Sequence, residues 1–353
     1  MPQIIIFNRN KKVRNLKEIF RFFSSGVAKT IWPLIPRSLY FNHIDRVCVA
    51  LTRKCNAACT FCAYQFLENR YKKSMSDEIF EIVLQELRKN SVKEVMASPD
   101  LGDPLLAPNL IDKLKAIKKA GVEKIELTTN GILLNKIGID DLLECTDIIN
   151  ISIAGFDEEM CKRIYRVSRY QQIRNNVLEL LVKNSRRENP KFIRIWLRGD
   201  IEVADQLSFP EIDIVKKYAN ELAVMTEVDS WNGKITQKML TGTMKLQTEV
   251  PKIANRPCLI LLYITIHPDG SIHACSCRNI NNDQDLYLGN IREIGLRMAY
   301  NNISKISDKW QNGYIPPICQ SCCMYNDPAK GILGTIRRAF SGLHLLKKDL
   351  KGG

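Results

Sequence analysis

Residues 46–228 alternate short β-branched runs with longer segments of helical period, and a chain with that alternation folds into repeated βα units around a parallel sheet. The spacing predicts strands at 47–51, 94–97, 124–128, 148–153, 193–197 and 223–227. Helix-like stretches lie between them: 76–89 carries Ile79, Ile82, Val83 and Leu87 on one apolar stripe, and 110–120 follows a similar period. Six strand-helix units are too few for a closed eight-unit barrel. An α/β fold with an open, partial (β/α)6 barrel is expected, and 353 residues leave room for a second, smaller domain. The texture changes between about Leu240 and Asn255, and six of the twelve cysteines lie beyond that point. The expected organisation is a core at 46–240, a small hairpin-and-helix module at 241–325, and flanking segments at 1–45 and 326–353.

Twelve cysteines in a short secreted chain would suggest disulfides, but here the chain is long and the thiols sit in pairs and triplets, which favours metal ligation. The basic stretch 9–17 is not followed by the apolar region and cleavage site of a signal peptide. The longest apolar run, near 259–266, is far shorter than the roughly 20 residues of a membrane span. A reducing cytoplasm is the expected location.

The stretch Leu51-Thr-Arg-Lys-Cys55-Asn-Ala-Ala-Cys59-Thr-Phe-Cys62 leaves a strand and enters a loop with small residues between the thiols. Three thiolates so close can converge on one inorganic cluster. Four-iron clusters usually take four cysteines, so three leave one iron open to an outside ligand. Zinc is the plainer alternative, but it wants four N/S ligands and no nearby histidine completes this set.

The Cys-x3-Cys-x2-Cys spacing, with Phe61 before the last cysteine, resembles the signature of the radical S-adenosylmethionine (SAM) superfamily. The resemblance implies a 4Fe-4S cluster whose open iron is chelated by the amino and carboxylate groups of SAM, with Phe61 near the adenine. It also implies reductive cleavage of SAM to methionine and a 5'-deoxyadenosyl radical that removes hydrogen from a substrate. In such enzymes the cofactors carry the hard chemistry while the protein positions them and excludes water. Other strand-end segments fit the same family, at the rim where barrel-like folds build their sites. Leu101-Gly102-Asp103-Pro104 resembles the glycine-rich turn near the SAM amino group, with Asp where Glu is commoner. Thr128-Thr129-Asn130-Gly131 resembles the third strand's ending close to the cofactor. Ser152 holds the position of a polar residue near the SAM ribose or carboxylate, although Gly155 replaces a frequent acidic neighbourhood. Arg198 is either a bidentate partner of the SAM carboxylate or an ordinary surface arginine at a strand end.

A second constellation follows. Residues 264–275 read as a β-hairpin turning on Pro268-Asp269-Gly270, which delivers Cys275; Cys319 and Cys322 form a Cys-x2-Cys pair after Pro316 and Pro317. With Cys258, and with a turn at Leu288-Gly-Asn-Ile291, the order resembles the C-terminal extension called SPASM, or its shortened twitch form. That implies one auxiliary 4Fe-4S cluster held by Cys258, Cys275, Cys319 and Cys322, with Cys277 and Cys323 as rivals for two positions. A four-thiolate zinc knuckle is the alternative. His267 and His273 read as surface residues of the hairpin, and Cys48, Cys145 and Cys161 as small apolar side chains.

The net charge of +14 sits mostly at the ends: +7 in residues 1–40 and +4 in 326–353, leaving +3 for 41–325. Both ends carry apolar residues at helical spacing, Phe20, Phe23, Ile31, Trp32 and Ile35 at one and Ile332, Leu333, Ile336, Phe340 and Leu343 at the other. Such segments lie on anionic membranes or pack on a core with lysines outward. No nucleic-acid motif accompanies the charge, so nucleic acid is not an expected partner. The expected partners are SAM, a reductant such as flavodoxin or ferredoxin, an unidentified substrate and, peripherally, an anionic membrane surface. The family resemblance leaves three fates for a substrate radical: oxidation through the auxiliary cluster, epimerisation with Cys48, Cys277 or Cys323 returning hydrogen, or crosslinking. No leader-recognition domain is evident before Arg46, so oxidation or epimerisation of a small-molecule, sugar or lipid-linked substrate is expected. A peptide-modifying maturase and a non-enzymatic zinc-binding interaction protein are the alternatives.

Overall fold

A computed structural model of the protein describes residues 4–8, 44, 46–98, 100–247, 249–251, 253, 257–275 and 284–325. Cys277 and nearly all of the two basic ends, including the ten apolar residues named for them, lie outside the described residues.

The described residues form twelve strands: β1 (Ile4–Asn8), β2 (Arg46–Val49), β3 (Glu94–Met96), β4 (Lys124–Thr129), β5 (Ile148–Ile153), β6 (Phe192–Leu197), β7 (Glu221–Val224), β8 (Glu227–Asp229), β9 (Lys245–Gln247), β10 (Ile264–Ile266), β11 (Ser271–Ala274) and β12 (Tyr287–Asn290). Ten make one sheet in the order β1-β7-β6-β5-β4-β3-β2-β10-β11-β12, and β8 pairs with β9. Strands β2 to β7 are parallel and neighbours in sequence order, so each crossover steps one place in the same direction. This is the expected α/β architecture of an open partial barrel. It is carried by side chains such as Ile125, Leu127, Ile149, Ile151, Ile193, Ile195 and Leu197, all fully buried.

The crossover helices form where the apolar period requires. Helix Asp77–Lys89 is capped by Ser76, whose hydroxyl accepts the Ile79 N–H, with Asp77 and Glu78 in the first turn and Arg88 and Lys89 in the last. It buries Ile79, Phe80, Val83, Leu84 and Leu87, while Ile82 is only half-buried. Its Glu86 carboxylate accepts the Leu296 N–H at 2.7 Å and so caps the long helix Leu296–Gln311 of the C-terminal part.

The sequence expectation is corrected at four places. The sixth strand lies at Glu221–Val224 rather than 223–227, and the following residues turn away to form β8. Ile4–Asn8 is a strand antiparallel to β7 rather than part of a helical segment, because the β7 edge would otherwise carry unpaired backbone groups. Residues 288–291 are largely the strand β12, paired with β11, instead of a free turn. The hairpin does turn at Pro268-Asp269-Gly270, with Gly270 at φ +83° donating to the His267 carbonyl. Yet His267 and His273 are buried rather than on the surface, because β10 pairs with β2 on one side and β11 with β12 on the other, making both strands sheet-interior. Among the described residues no helix is long and apolar enough to cross a membrane.

Candidate active site

The triad loop leaves the C-terminal end of β2 and is strapped on all sides. The Ala58 and Thr60 N–H groups donate to the carbonyls of Tyr165 and Ile164, at the end of the short π-helix Cys161–Tyr165. The Cys55 N–H donates to the Tyr64 hydroxyl at 3.0 Å, and Cys62 caps the turn that follows, accepting the Tyr64 N–H. On the other side, the Asp103 N–H donates to the Lys54 carbonyl, and Arg53 makes a buried ion pair with Asp100 at 3.2 Å. Gly102 has φ +124°, and a Cβ there would stand 2.9 Å from Arg53 C and Lys54 O. Only glycine allows that approach, so the Gly102-Asp103-Pro104 turn lies directly on the triad loop.

The strand ends β4, β5 and β6 bring the remaining candidate residues to the same rim. The buried Asp103 carboxylate accepts from the Thr129 hydroxyl at 2.9 and 3.0 Å, from the Asn130 N–H at 2.8 Å and from the Leu105 N–H at 3.0 Å. The Asn130 amide donates to Asn56 beside Cys55. Arg198 is buried, so its reading as a surface arginine is set aside; its Nε donates to Ser152 Oγ at 2.8 Å and its guanidinium lies 4.9 Å from the Phe61 ring centroid. Pro104 opens the short turn that Asp103 caps. Phe61, Gly102, Asp103, Pro104, Thr129, Asn130, Ser152 and Arg198 thus surround the loop of Cys55, Cys59 and Cys62.

Burial is the main force on the three thiols. It pushes Cys55 up to about 12, helped by the negative charge of Asp103. Cys59 is raised well above its ordinary value by burial and by Cys62 and Cys55, against the pull of Arg198. Cys62 is raised by burial, opposed by the Tyr64 N–H and Arg198. Three crowded, desolvated thiols are poor places for bare negative charge, and bound iron would supply the compensating positive charge.

The second constellation is also assembled. Cys258, Cys275, Cys319 and Cys322 line one apolar pocket together with Leu261, Leu286, Trp310 and Tyr325. Cys275 sits at φ +63°, at the end of β11. Cys323 does not line the pocket: its thiol donates to the buried Asp229 carboxylate at 2.7 Å. Cys48 donates to the Ser98 carbonyl at 3.0 Å, and Cys145 and Cys161 are buried. Among the described residues no three His, Cys, Asp or Glu side chains converge closely enough to hold a single metal ion. Soft thiolates in these numbers suit iron-sulfur clusters or zinc.

Sequence reasoning passed over several residues. Tyr165 is buried with its hydroxyl 3.3 Å from Ser152 Oγ and its ring 6.0 Å from that of Phe61. Tyr64, Asn56 and the Arg53–Asp100 pair tie down the triad loop, and Asp229 holds Cys323. In the short turn after β8, Trp231 packs against the same small core of Ala63, Leu67 and Leu101 as Cys62 does, and the Asn232 amide donates to the Ile318 carbonyl next to Cys319. Trp231, Asn232 and Gly233 all have positive φ, and the Asn-Gly pair was the one local signal for so tight a turn.

Residues 49–197 match the Radical SAM superfamily. Among curated proteins, the chain is 31% identical over 154 residues to a GTP 3',8-cyclase of Clostridium perfringens, covering 41% of this chain and 45% of that protein. It is 25% identical over 206 residues to a probable GTP 3',8-cyclase of Saccharolobus solfataricus, covering 54% and 66%. The chain thus spans about half the length of the curated relatives it matches. Among solved structures, Streptococcus suis SuiB bound to precursor peptide SuiA superposes with a TM-score of 0.52 at 16% identity, over 90% of this chain and 78% of that one. The structure of anSMEcpe with bound AdoMet does so with 0.50 at 14% identity, over 80% and 89%. These two likenesses show a shared fold.

Proposed function

The chain belongs to the radical SAM superfamily, and from that premise we propose that it cleaves SAM reductively and uses the product radical to oxidise or epimerise a small-molecule, sugar or lipid-linked substrate. The observation that carries this reading is the meeting of Cys55, Cys59 and Cys62 with Asp103, Asn130, Ser152 and Arg198 at one sheet rim. Three of four irons would be held by those thiols, and the bound cluster and SAM together supply the 5'-deoxyadenosyl radical. The protein's share is placement. Arg198, fixed by Ser152 and stacked on Phe61, presents its guanidinium to a carboxylate. Asp103 spends its acceptor capacity on Thr129, Asn130 and Leu105, so it shapes the rim rather than transferring protons. Buried Tyr165, with the half-buried Phe61 ring 6.0 Å away, would help to exclude water from the bound cofactor.

Cys258, Cys275, Cys319 and Cys322 are the set we assign to one auxiliary 4Fe-4S cluster in a SPASM or twitch-like module, serving as an electron acceptor from the substrate. The curated relatives are named for action on GTP, which supports a small-molecule substrate over a peptide.

Anaerobic purification and reconstitution test the reading. The enzyme should be brown with about eight irons, four per cluster, and on reduction should convert SAM to 5'-deoxyadenosine. A colourless protein with zinc, little iron and no SAM cleavage would establish the interaction-protein alternative instead.

A further inference from the structure

Residues 52–74, the triad loop and its exit, carry Arg53, Lys54, Arg70, Lys72 and Lys73 against Glu68 alone, a net charge of +4. Residues 41–325 as a whole carry only +3, so outside 52–74 that body has a net charge of −1 and its net positive charge comes from the segment beside the three thiols. Arg53 is buried against Asp100, and the other four cations lie at the surface. Lys54, Arg70 and Lys73 are exposed and Lys72 half-exposed. The Lys72 ammonium lies 4.9 Å from the Tyr64 ring centroid, and the Tyr64 hydroxyl in turn accepts the Cys55 N–H. Arg70 and Lys73 flank a small cleft with Arg53, Tyr71, His267, Pro268 and Asp269, and Lys234 adds a further cation 6.0 Å from the Phe66 ring. Asp103 neighbours Cys55, and Arg198 and Tyr165 neighbour Cys59, while Lys72 connects to the Cys55 backbone through the Tyr64 ring.

We propose that this basic face, centred on Lys72 and Lys73, is the docking surface for an acidic one-electron-donor protein of the flavodoxin or ferredoxin type. The inference rests on the reading that Cys55, Cys59 and Cys62 hold a redox-active cluster. One electron leaves the donor, which is oxidised by one equivalent, and reduces the cluster by one; no bond or proton need move. Encounters of this kind use small, polar contact areas and depend on electrostatic steering. A membrane is the less suitable occupant of a basic face here. Interfacial binding also needs apolar side chains to insert, and the exposed large hydrophobic residues among those described, Val250, Tyr287, Met298 and Tyr314, all lie outside residues 52–74.

The test uses reconstituted full-length enzyme and its Lys72→Glu/Lys73→Glu variant, with Lys216→Glu/Lys217→Glu as a control of equal charge change on exposed positions elsewhere. Cleavage of SAM is driven either by reduced flavodoxin or by dithionite, and flavodoxin binding to the oxidised holoenzyme is followed by calorimetry at low and high salt. Expected is a loss of about tenfold or more in both flavodoxin-driven rate and flavodoxin affinity for the Lys72/Lys73 variant at low salt. Its dithionite-driven rate should stay within about twofold of the parent, the control should behave as the parent, and the parent's flavodoxin rate should fall with salt. Unchanged flavodoxin binding, an equal loss in the control, or an equal loss with dithionite would each overturn the assignment. Binding of the parent to anionic vesicles but not to flavodoxin would replace it with a membrane face. Failure of the parent to cleave SAM with dithionite would instead sink the underlying cluster reading, while the calorimetry would still report on docking.

Discussion

Cys55, Cys59 and Cys62 come from eight residues of chain, whereas Cys258, Cys275, Cys319 and Cys322 are gathered from sixty-five. The first set is ringed by groups that bear charge or hydrogen bonds, Asp103, Arg198, Asn56 and Tyr64. The second is walled by Leu261, Leu286, Trp310 and Tyr325. Three thiols in a polar rim leave both a coordination position and hydrogen-bonding partners for a polar ligand. Four in an apolar pocket leave neither, which suits a site that only passes electrons. The contrast supports the proposal that chemistry belongs to the rim and relay to the pocket.

The most severe break of that contrast is Cys55→Ala/Cys59→Ala/Cys62→Ala. SAM cleavage should vanish and iron should fall from about eight to about four per chain. Retained 5'-deoxyadenosine formation in the triple variant would refute the rim as the site of chemistry.

The pocket is next. Cys322→Ala should lose about four irons and abolish substrate turnover while SAM cleavage without substrate persists. Cys323→Ala should keep its iron, since its thiol is engaged with Asp229 rather than the pocket. Iron analysis of the two single variants decides between the neighbours, and equal iron loss in both would show the pocket to be wrongly composed.

Arg198→Lys sharpens the rim itself. Lysine keeps the charge but loses the fork and the flat contact with Phe61. Hydrogen bonds to charged groups are worth about 1.5–3 kcal/mol, so KM for SAM should rise roughly tenfold to a hundredfold. An unchanged KM would remove Arg198 from the cofactor's contacts.

What could be read from the sequence follows from range. The triad, the Pro268-Asp269-Gly270 turn and the βα alternation are local patterns, each fixed by residues within a few positions of one another. The strand β1 was not legible, because its identity depends on Ile4 meeting Val224 across the whole core. Nor were Tyr165 beside Ser152 or Asp229 beside Cys323, meetings that only the tertiary fold arranges. Ile264-Thr-Ile-His267 alternates as a strand with one wet face should, and nothing in that pattern says that both strands of the hairpin lie inside a larger sheet.

That buried hairpin gives the smallest effect and the last difference between the two sites. Burial, with Arg53 and His273 adding to it, holds His267 well below the ordinary histidine value of 6.5. The native state therefore keeps His267 neutral at pH values where the unfolded chain takes up a proton. With its folded value depressed, the group's contribution to stability is present above the unfolded pKa and is lost as pH falls below about 6.5. The slope is at most one proton, about 1.4 kcal/mol per pH unit. His267 lies on the hairpin that leads to Cys275, so acid should loosen the pocket's support before the rim's. Amide protection factors, corrected for the intrinsic fall of exchange with acid, should drop between pH 7.5 and 5.5 more in β10 and β11 than in β4 and β5, and His267→Gln should flatten that difference. An equal drop in both regions, or no effect of the substitution, would show that the two sites share one acid stability.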